Sequence, residues 1–168
     1  TLMGDPNIPY RVWLGGGAAR RAFMSPDGGD SFLFTASLAS HYSMIIASGR
    51  RPPYPMYMTS WHVFGELMKS EDMGGSWRLL TSRLASAVSV ESREAGLYRG
   101  ASTQWGHLHG LAVDPSDDDT LYVGSVHDAV LTLNLSLTGA HIFKSTDGGA
   151  TFTETDQGFP TATETSIG

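Results

Sequence analysis

Ser145-Thr146-Asp147-Gly148-Gly149-Ala150-Thr151-Phe152 decides the fold, because the chain carries the same pattern three times. Ser25-Pro26-Asp27-Gly28-Gly29-Asp30-Ser31-Phe32 and Ser70-Glu71-Asp72-Met73-Gly74-Gly75-Ser76-Trp77 share its frame, Ser-x-Asp-x-Gly-x-(Ser/Thr)-(Trp/Phe). Each copy follows a short apolar stretch: Ala22-Phe23-Met24, Leu67-Met68-Lys69 and Ile142-Phe143-Lys144. The first two also lead into one, Leu33-Phe34 and Arg78-Leu79-Leu80. The physics is that of a hairpin. Ser and Asp oxygens accept hydrogen bonds from turn N–H groups, and Gly supplies the positive φ. The closing Phe32, Trp77 or Phe152 is expected to drop into the core.

Outside these turns, short β-prone runs recur. Arg11–Leu14, Tyr42–Ile46, Pro55–Met58, Leu108–Val113 and Leu121–Val123 are each bounded by Gly, Pro, Asp or Ser clusters. Helical signals are weak; Ser82 to Ala95, rich in Ala, Ser and Glu, is the best candidate. The fold class expected is therefore all-β.

The three turns resemble Asp-boxes (BNR repeats), found in sialidases, sortilin-type receptors, family 74 xyloglucanases and a photosystem assembly factor. The resemblance implies β-propeller blades, with each box on the hairpin between the third and fourth strands. Ser25, Asp27, Gly29, Phe32, Ser70, Asp72, Gly74, Trp77, Ser145, Asp147, Gly149 and Phe152 are its structural residues. Gly110–Pro115 followed by Thr120–Gly124 resembles the first two strands of a blade, and Asp5–Asn7 followed by Arg11–Gly15 is a weaker copy. The turns begin 45 residues apart (25 to 70) and then 75 apart (70 to 145). The first interval matches a propeller repeat of ~40–45 residues. Three blades are expected in one domain, near 1–36, 37–84 and 105–156, the first lacking most of its first strand. Residues 81–104 and 126–140 are read as insertions. Propellers close with roughly four to eight blades, and an open ring exposes strand edges. The chain is expected to be a fragment of a larger propeller, or to be completed by another chain.

Chemistry is less legible. Asp27, Asp72 and Asp147 are read as structural, since in the resembling families they lie on the blade periphery. The Arg-Ile-Pro segment of sialidases and the early Asp-Ile-Gly-Gly segment of family 74 enzymes are both missing; Arg50-Arg51-Pro52-Pro53 is only superficially similar to the former. Asp114, Asp117, Asp118 and Asp119 cluster, but Pro115-Ser116-Asp117 reads as a solvated turn between strands. Trp105, His107 and His109 share one face if Trp105–His109 is a strand. Two histidines so spaced could ligate a metal and the Trp could stack on a sugar, with polar-aromatic channel filling as the plainer alternative. His41, His62, His127 and His141 are candidates for a further ligand, but no metal site is assigned. Leu131, Leu133, Leu135 and Leu137 would line one face of a strand, either for a partner or to cap their own blade. Asn134-Leu135-Ser136 on the opposite face is a glycosylation sequon.

Composition narrows the classes. Of 168 residues, 40% are hydrophobic and 17% charged, with a formal net charge of −6. That balance opposes nucleic-acid binding, which concentrates Lys and Arg. No apolar run approaches the roughly 20 residues of a transmembrane helix. Cysteine is absent, which excludes disulfides, thiolate zinc sites and a cysteine nucleophile. Thr1 in place of Met, with no signal-peptide pattern, reads as a mature or excised piece of a longer precursor. The leading expectation is a non-catalytic, secreted or cell-surface scaffold or recognition module, without cofactor, assembling through blade edges with a protein partner or as a homo-oligomer. A glycan is a candidate ligand. The alternatives are a glycoside hydrolase fragment, xyloglucanase- or sialidase-like, and a sortilin-like peptide-binding receptor segment.

Overall fold

A computed structural model describes residues 2–15, 21–37, 44–60, 66–87, 107–126 and 140–155. They form three four-stranded antiparallel sheets whose strands lie side by side in chain order. The first sheet holds β1 (Leu2–Gly4), β2 (Val12–Gly15), β3 (Arg21–Ser25) and β4 (Leu33–Ser37). The second holds β5 (Met44–Ser48), β6 (Met56–Ser60), β7 (Leu67–Ser70) and β8 (Arg78–Leu79). A short helix, α1 (Thr81–Ser86), precedes the third sheet of β9 (His107–Asp114), β10 (Asp117–Val126), β11 (Ala140–Ser145) and β12 (Thr153–Glu154). The architecture is all-β, with each sheet a propeller-type blade. No helix among the described residues is long and apolar enough to cross a membrane.

Pairing registers put the sheets into one frame. Cross-strand partners share a face, so one face of the first sheet carries Met3, Trp13, Met24 and Leu33, and the other Leu2, Leu14, Phe23 and Phe34. In the second sheet the matching rows are Ala47, Tyr57, Lys69, Arg78 and Ile46, Met58, Met68, Leu79. In the third they are Ala112, Tyr122, Lys144, Thr153 and Leu111, Val123, Phe143, Glu154. Trp13, Tyr57 and Tyr122 therefore hold one structural place, as do Leu14, Met58 and Val123.

The core lies in the two seams between sheets. Trp13, Ala22 and Ala36 pack with Ile46, Met56, Met58 and Met68 in the first seam. Tyr57, Leu67, Leu80 and Leu84 pack with Leu108, Leu121, Val123, Phe143 and Phe152 in the second. An aromatic side chain buries about 150–250 Å², worth several kcal/mol at about 25 cal/mol/Å². The fully buried Trp13 and Tyr57 are thus the anchors of their seams.

Two expectations change here. Phe152 enters the core and Trp77 is half-buried, but Phe32 is 41% exposed. These aromatics face the preceding sheet, and the first sheet has none before it among the described residues. The segment read as an insertion from residue 81 begins inside the core. α1 spans only Thr81–Ser86, and Leu84 on it is fully buried in the second seam. Thr81 Oγ1 accepts the Leu67 N–H at 3.1 Å, and Leu80 N–H reaches Leu67 O at 2.7 Å. These bonds tie the helix start to β7.

Candidate functional site

The three Ser–Asp turns share one hydrogen-bonded lock. In the third, Ser145 Oγ donates to Asp147 Oδ1 at 2.8 Å and accepts the Gly149 N–H at 2.9 Å. Asp147 Oδ1 also accepts the Thr151 N–H at 2.8 Å, and the Thr151 hydroxyl donates to Oδ2 at 2.5 Å. Ser25, Asp27, Gly29 and Ser31 repeat the pattern, as do Ser70, Asp72, Gly74 and Ser76. Donation by the Ser31, Ser76 or Thr151 hydroxyl, then by the same residue's N–H, holds each carboxyl down at about 2. A carboxylate so committed, at the end of a strand and saturated by its own turn, is a fastener rather than an acid or base.

The turns also set the seams. Gly74 (φ +86°) lies flat against the Trp13 indole, where a Cβ would come 2.1 Å from the ring edge. At Gly149 (φ +85°) a Cβ would come 2.6 Å from the Leu80 side chain, with Tyr57 at ordinary contact distance, 3.8 Å. Each turn thus rests on the second strand of the sheet before it. Gly29 (φ +109°) has nothing within 4 Å of that position.

Where the second seam opens at this end, a cavity of about 290 Å³ is lined by Arg51, Lys69, Glu71, Asp117, Asp118, Asp119 and three prolines. Asp118 reaches across the seam and accepts the N–H groups of Arg50 and Arg51 at 2.8 and 2.6 Å. The Arg51 guanidinium donates to Ser116 O at 2.6 Å. From the first sheet, the Asn7 amide donates to Ser48 Oγ at 3.2 Å and Gly49 O at 2.7 Å. Gly49 is therefore approached from both sides, and a Cβ there would meet Asp118 at 2.7 Å. Asp118 is a latch between sheets. Nothing local in the sequence announces it, because its partners lie 67 and 68 positions away.

Lys69 is nearly buried, pairs with Glu71 at 3.0 Å and lies 5.5 Å from the Tyr57 ring centroid. Its hydrogen bond, and then its charge, pull the Glu71 carboxyl below its ordinary value. Tyr57 is pushed upward by burial and by Asp119 and Glu71, and its hydroxyl has no hydrogen-bond partner among the described residues. Glycoside hydrolysis by acid and base needs one carboxyl with a raised pKa opposite an ionised one. Every described carboxyl with a displaced titration is displaced downward. This cavity has the chemistry of a clasp.

Of the other candidates, the backbones of His107 and His109 start β9, two residues apart on one strand; their side chains lie outside the described residues. Trp105, Asn134, Leu131, Leu133, Leu135 and Leu137 also lie outside them. No group of three or more His, Asp or Glu among the described residues could hold a metal ion.

No protein-family model and no curated protein matches the chain. Solved structures do. The chain is similar to the GH74 xyloglucanase from Xanthomonas campestris at 18% identity, over 90% of this chain and 19% of that one, with a TM-score of 0.57. It is similar to an ancestral GH74 enzyme at 14% identity, over 92% and 17%, with a TM-score of 0.64. A GH74 enzyme from Niastella koreensis matches at 16% identity, over 91% and 22%, with a TM-score of 0.54. The likeness is one of fold. The chain spans about a fifth of each of these structures' length, and its class is a segment of β-propeller.

Proposed function

We propose that this chain is a glycan-binding propeller module of Asp-box type, built like part of a GH74 enzyme. The observation that carries the reading is the run of three consecutive sheets matching GH74 structures over 90–92% of the chain. The three Ser–Asp locks support the Asp-box assignment. Trp105, two positions before His107 in the sequence, is the stacking residue in this proposal. A glycan ligand agrees with a secreted or cell-surface location.

The test is titration of the chain with xyloglucan oligosaccharides, followed by tryptophan fluorescence and by release of reducing ends. The reading predicts saturable quenching that Trp105→Ala abolishes, without hydrolysis. Absence of any saturable change at millimolar oligosaccharide would refute it. Hydrolysis that survives purification would favour the glycoside hydrolase alternative instead.

A further inference from the structure

The described methionine side chains all belong to one of the two seams. Met56, Met58 and Met68 sit in the core between the first and second sheets, and Met3 and Met24 pack against it from the first sheet. Met73 lies on the second turn, at the edge of the same seam. The side chain of Met44, the seventh methionine of the chain, lies outside the described residues. The second seam is built instead on leucine, and its cluster holds no methionine among the described residues. Leucine and methionine exchange at nearly constant volume, so packing alone does not require this division.

The first seam also has an entrance. A cavity of about 280 Å³ opens at its turn end, and Arg11, Met24, Thr35, Met73 and Gly74 are among the residues that line it. Three residues past the closing aromatic, the first sheet carries Thr35 where the second carries Leu80. Leu80 is fully buried and fills the space beside Gly149. Thr35 leaves a cavity beside Gly74. Met73 is 39% exposed and Met24 half-buried, while Met56 and Met58, deeper in the seam, are fully buried. A reagent from solvent therefore meets two sulfur atoms before it meets the core. The polar groups of the cavity wall lack partners. Arg11 Nε and Nη1 and Thr35 Oγ1 are buried without a hydrogen bond among the described residues. Asp5 Oδ2 stands 3.7 Å from Arg11 Nη1, too far for one. A thioether is only a weak acceptor for such donors.

We infer that this cavity is a methionine-oxidation site that makes the first seam sensitive to hydrogen peroxide. A thioether lone pair attacks one peroxide oxygen, the O–O bond breaks, an S–O bond forms and water leaves. Sulfur is oxidised by two electrons and the peroxide is reduced. The sulfoxide oxygen at Met73 or Met24 draws the side chain off its apolar contacts, which loosens the seam. Hydrogen bonds from Arg11 and Thr35 to that oxygen limit the loss, so the chain stays folded. The leucine-built second seam offers the oxidant no sulfur and does not respond. Methionine sulfoxide reductases reverse the modification. The site is independent of the glycan reading.

The experiment is graded exposure of the full chain to hydrogen peroxide, read by peptide mass mapping, thermal melting and hydrogen exchange. Met73 and Met24 are expected to gain oxygen several-fold faster than Met56, Met58 and Met68. With both converted, the melting temperature should fall by about 2–4 °C. Amide exchange should quicken in β3 and the Gly74 turn and stay unchanged in β11. Reductase treatment should restore the original melting temperature. In Arg11→Ala the same oxidation should lower the melting temperature further than in wild type, because the sulfoxides lose their donor. Met24→Leu and Met73→Leu together keep the packing volume and should abolish the response at the same peroxide dose. Equal oxidation rates at Met73, Met24 and the three buried methionines would overturn the inference, since the oxidant would then enter through global unfolding. An undiminished response in the double leucine variant, or equal falls in wild type and Arg11→Ala, would overturn it too.

Discussion

The first and second sheets share a strand order, a locking turn and an aromatic on the second strand, yet their burial differs. Along β6 and β7 every described residue is buried, from Met56 to Thr59 and from Leu67 to Ser70. Along β2 burial alternates, with Trp13 hidden and Leu14 exposed, and β4 is mostly exposed. Among the described residues, the second sheet has a neighbour on each face and the first on one. The difference teaches that the repeat specifies the sheet, while its neighbours decide which of its apolar rows become core.

The largest effect is expected at the first seam. Gly74→Ala drives a methyl into the Trp13 ring and strains a left-handed residue. Overpacking costs about 1–3 kcal/mol and the backbone about 1–2 more. A loss of roughly 3 kcal/mol in denaturant unfolding would fit; less than about 1 would mean that the turn and indole are not in contact.

Acid should act on all three turns together. Asp27, Asp72 and Asp147 sit at about 2 against an ordinary 3.8. A carboxyl lowered on folding contributes stability that is complete above its unfolded pKa and is lost as pH falls toward the folded one. The melting temperature should therefore hold steady to about pH 4 and fall between there and about pH 2. Carboxyl NMR titration that found these three groups at ordinary values would break the fastener account.

Asp118→Ala tests the second seam's latch. Its loss leaves the Arg50 and Arg51 N–H groups to water at a partly exposed site, so about 1 kcal/mol should disappear. Faster hydrogen exchange at those two amides would localise the effect, whereas unchanged exchange would remove Asp118 from the seam.

Smaller still is Met73→Gly. Met73 holds φ +55° where the other turns have Gly28 at +79° and Gly148 at +65°. Relief of left-handed strain is partly offset by the freedom glycine gains in the unfolded chain. A gain of about 0.5 kcal/mol is expected, and a loss of that size would mean that the side chain packs productively in its turn.

The fold was legible because its information is local. Ser, Asp, Gly and an aromatic within eight residues dictate a hairpin, and three copies of it count the sheets. What sequence concealed depends on neighbours. Phe32 and Phe152 occupy identical positions in the repeat, but among the described residues a sheet lies in front of Phe152 and none in front of Phe32. Asp118 reads as one more acid in a polar turn until Arg50 and Arg51 arrive from the adjacent sheet. Leu84 sits in a stretch with weak helical signal, and only the Tyr57 seam makes it core. Of the candidate ligand residues, the sequence names Trp105, His107 and His109 through strand alternation alone, and the structure adds the backbone of the two histidines at the start of β9.

The central claim is that the turn glycine Gly74 and the preceding sheet's second-strand aromatic, Trp13, build the first seam together. A double-mutant cycle on Trp13→Leu and Gly74→Ala measures that coupling directly. Leucine withdraws the ring edge, so Gly74→Ala should then cost only its backbone strain, about 1–2 kcal/mol, well short of its cost beside the indole. Equal costs in the two backgrounds would show that Trp13 and Gly74 act independently, and the seam account would fail.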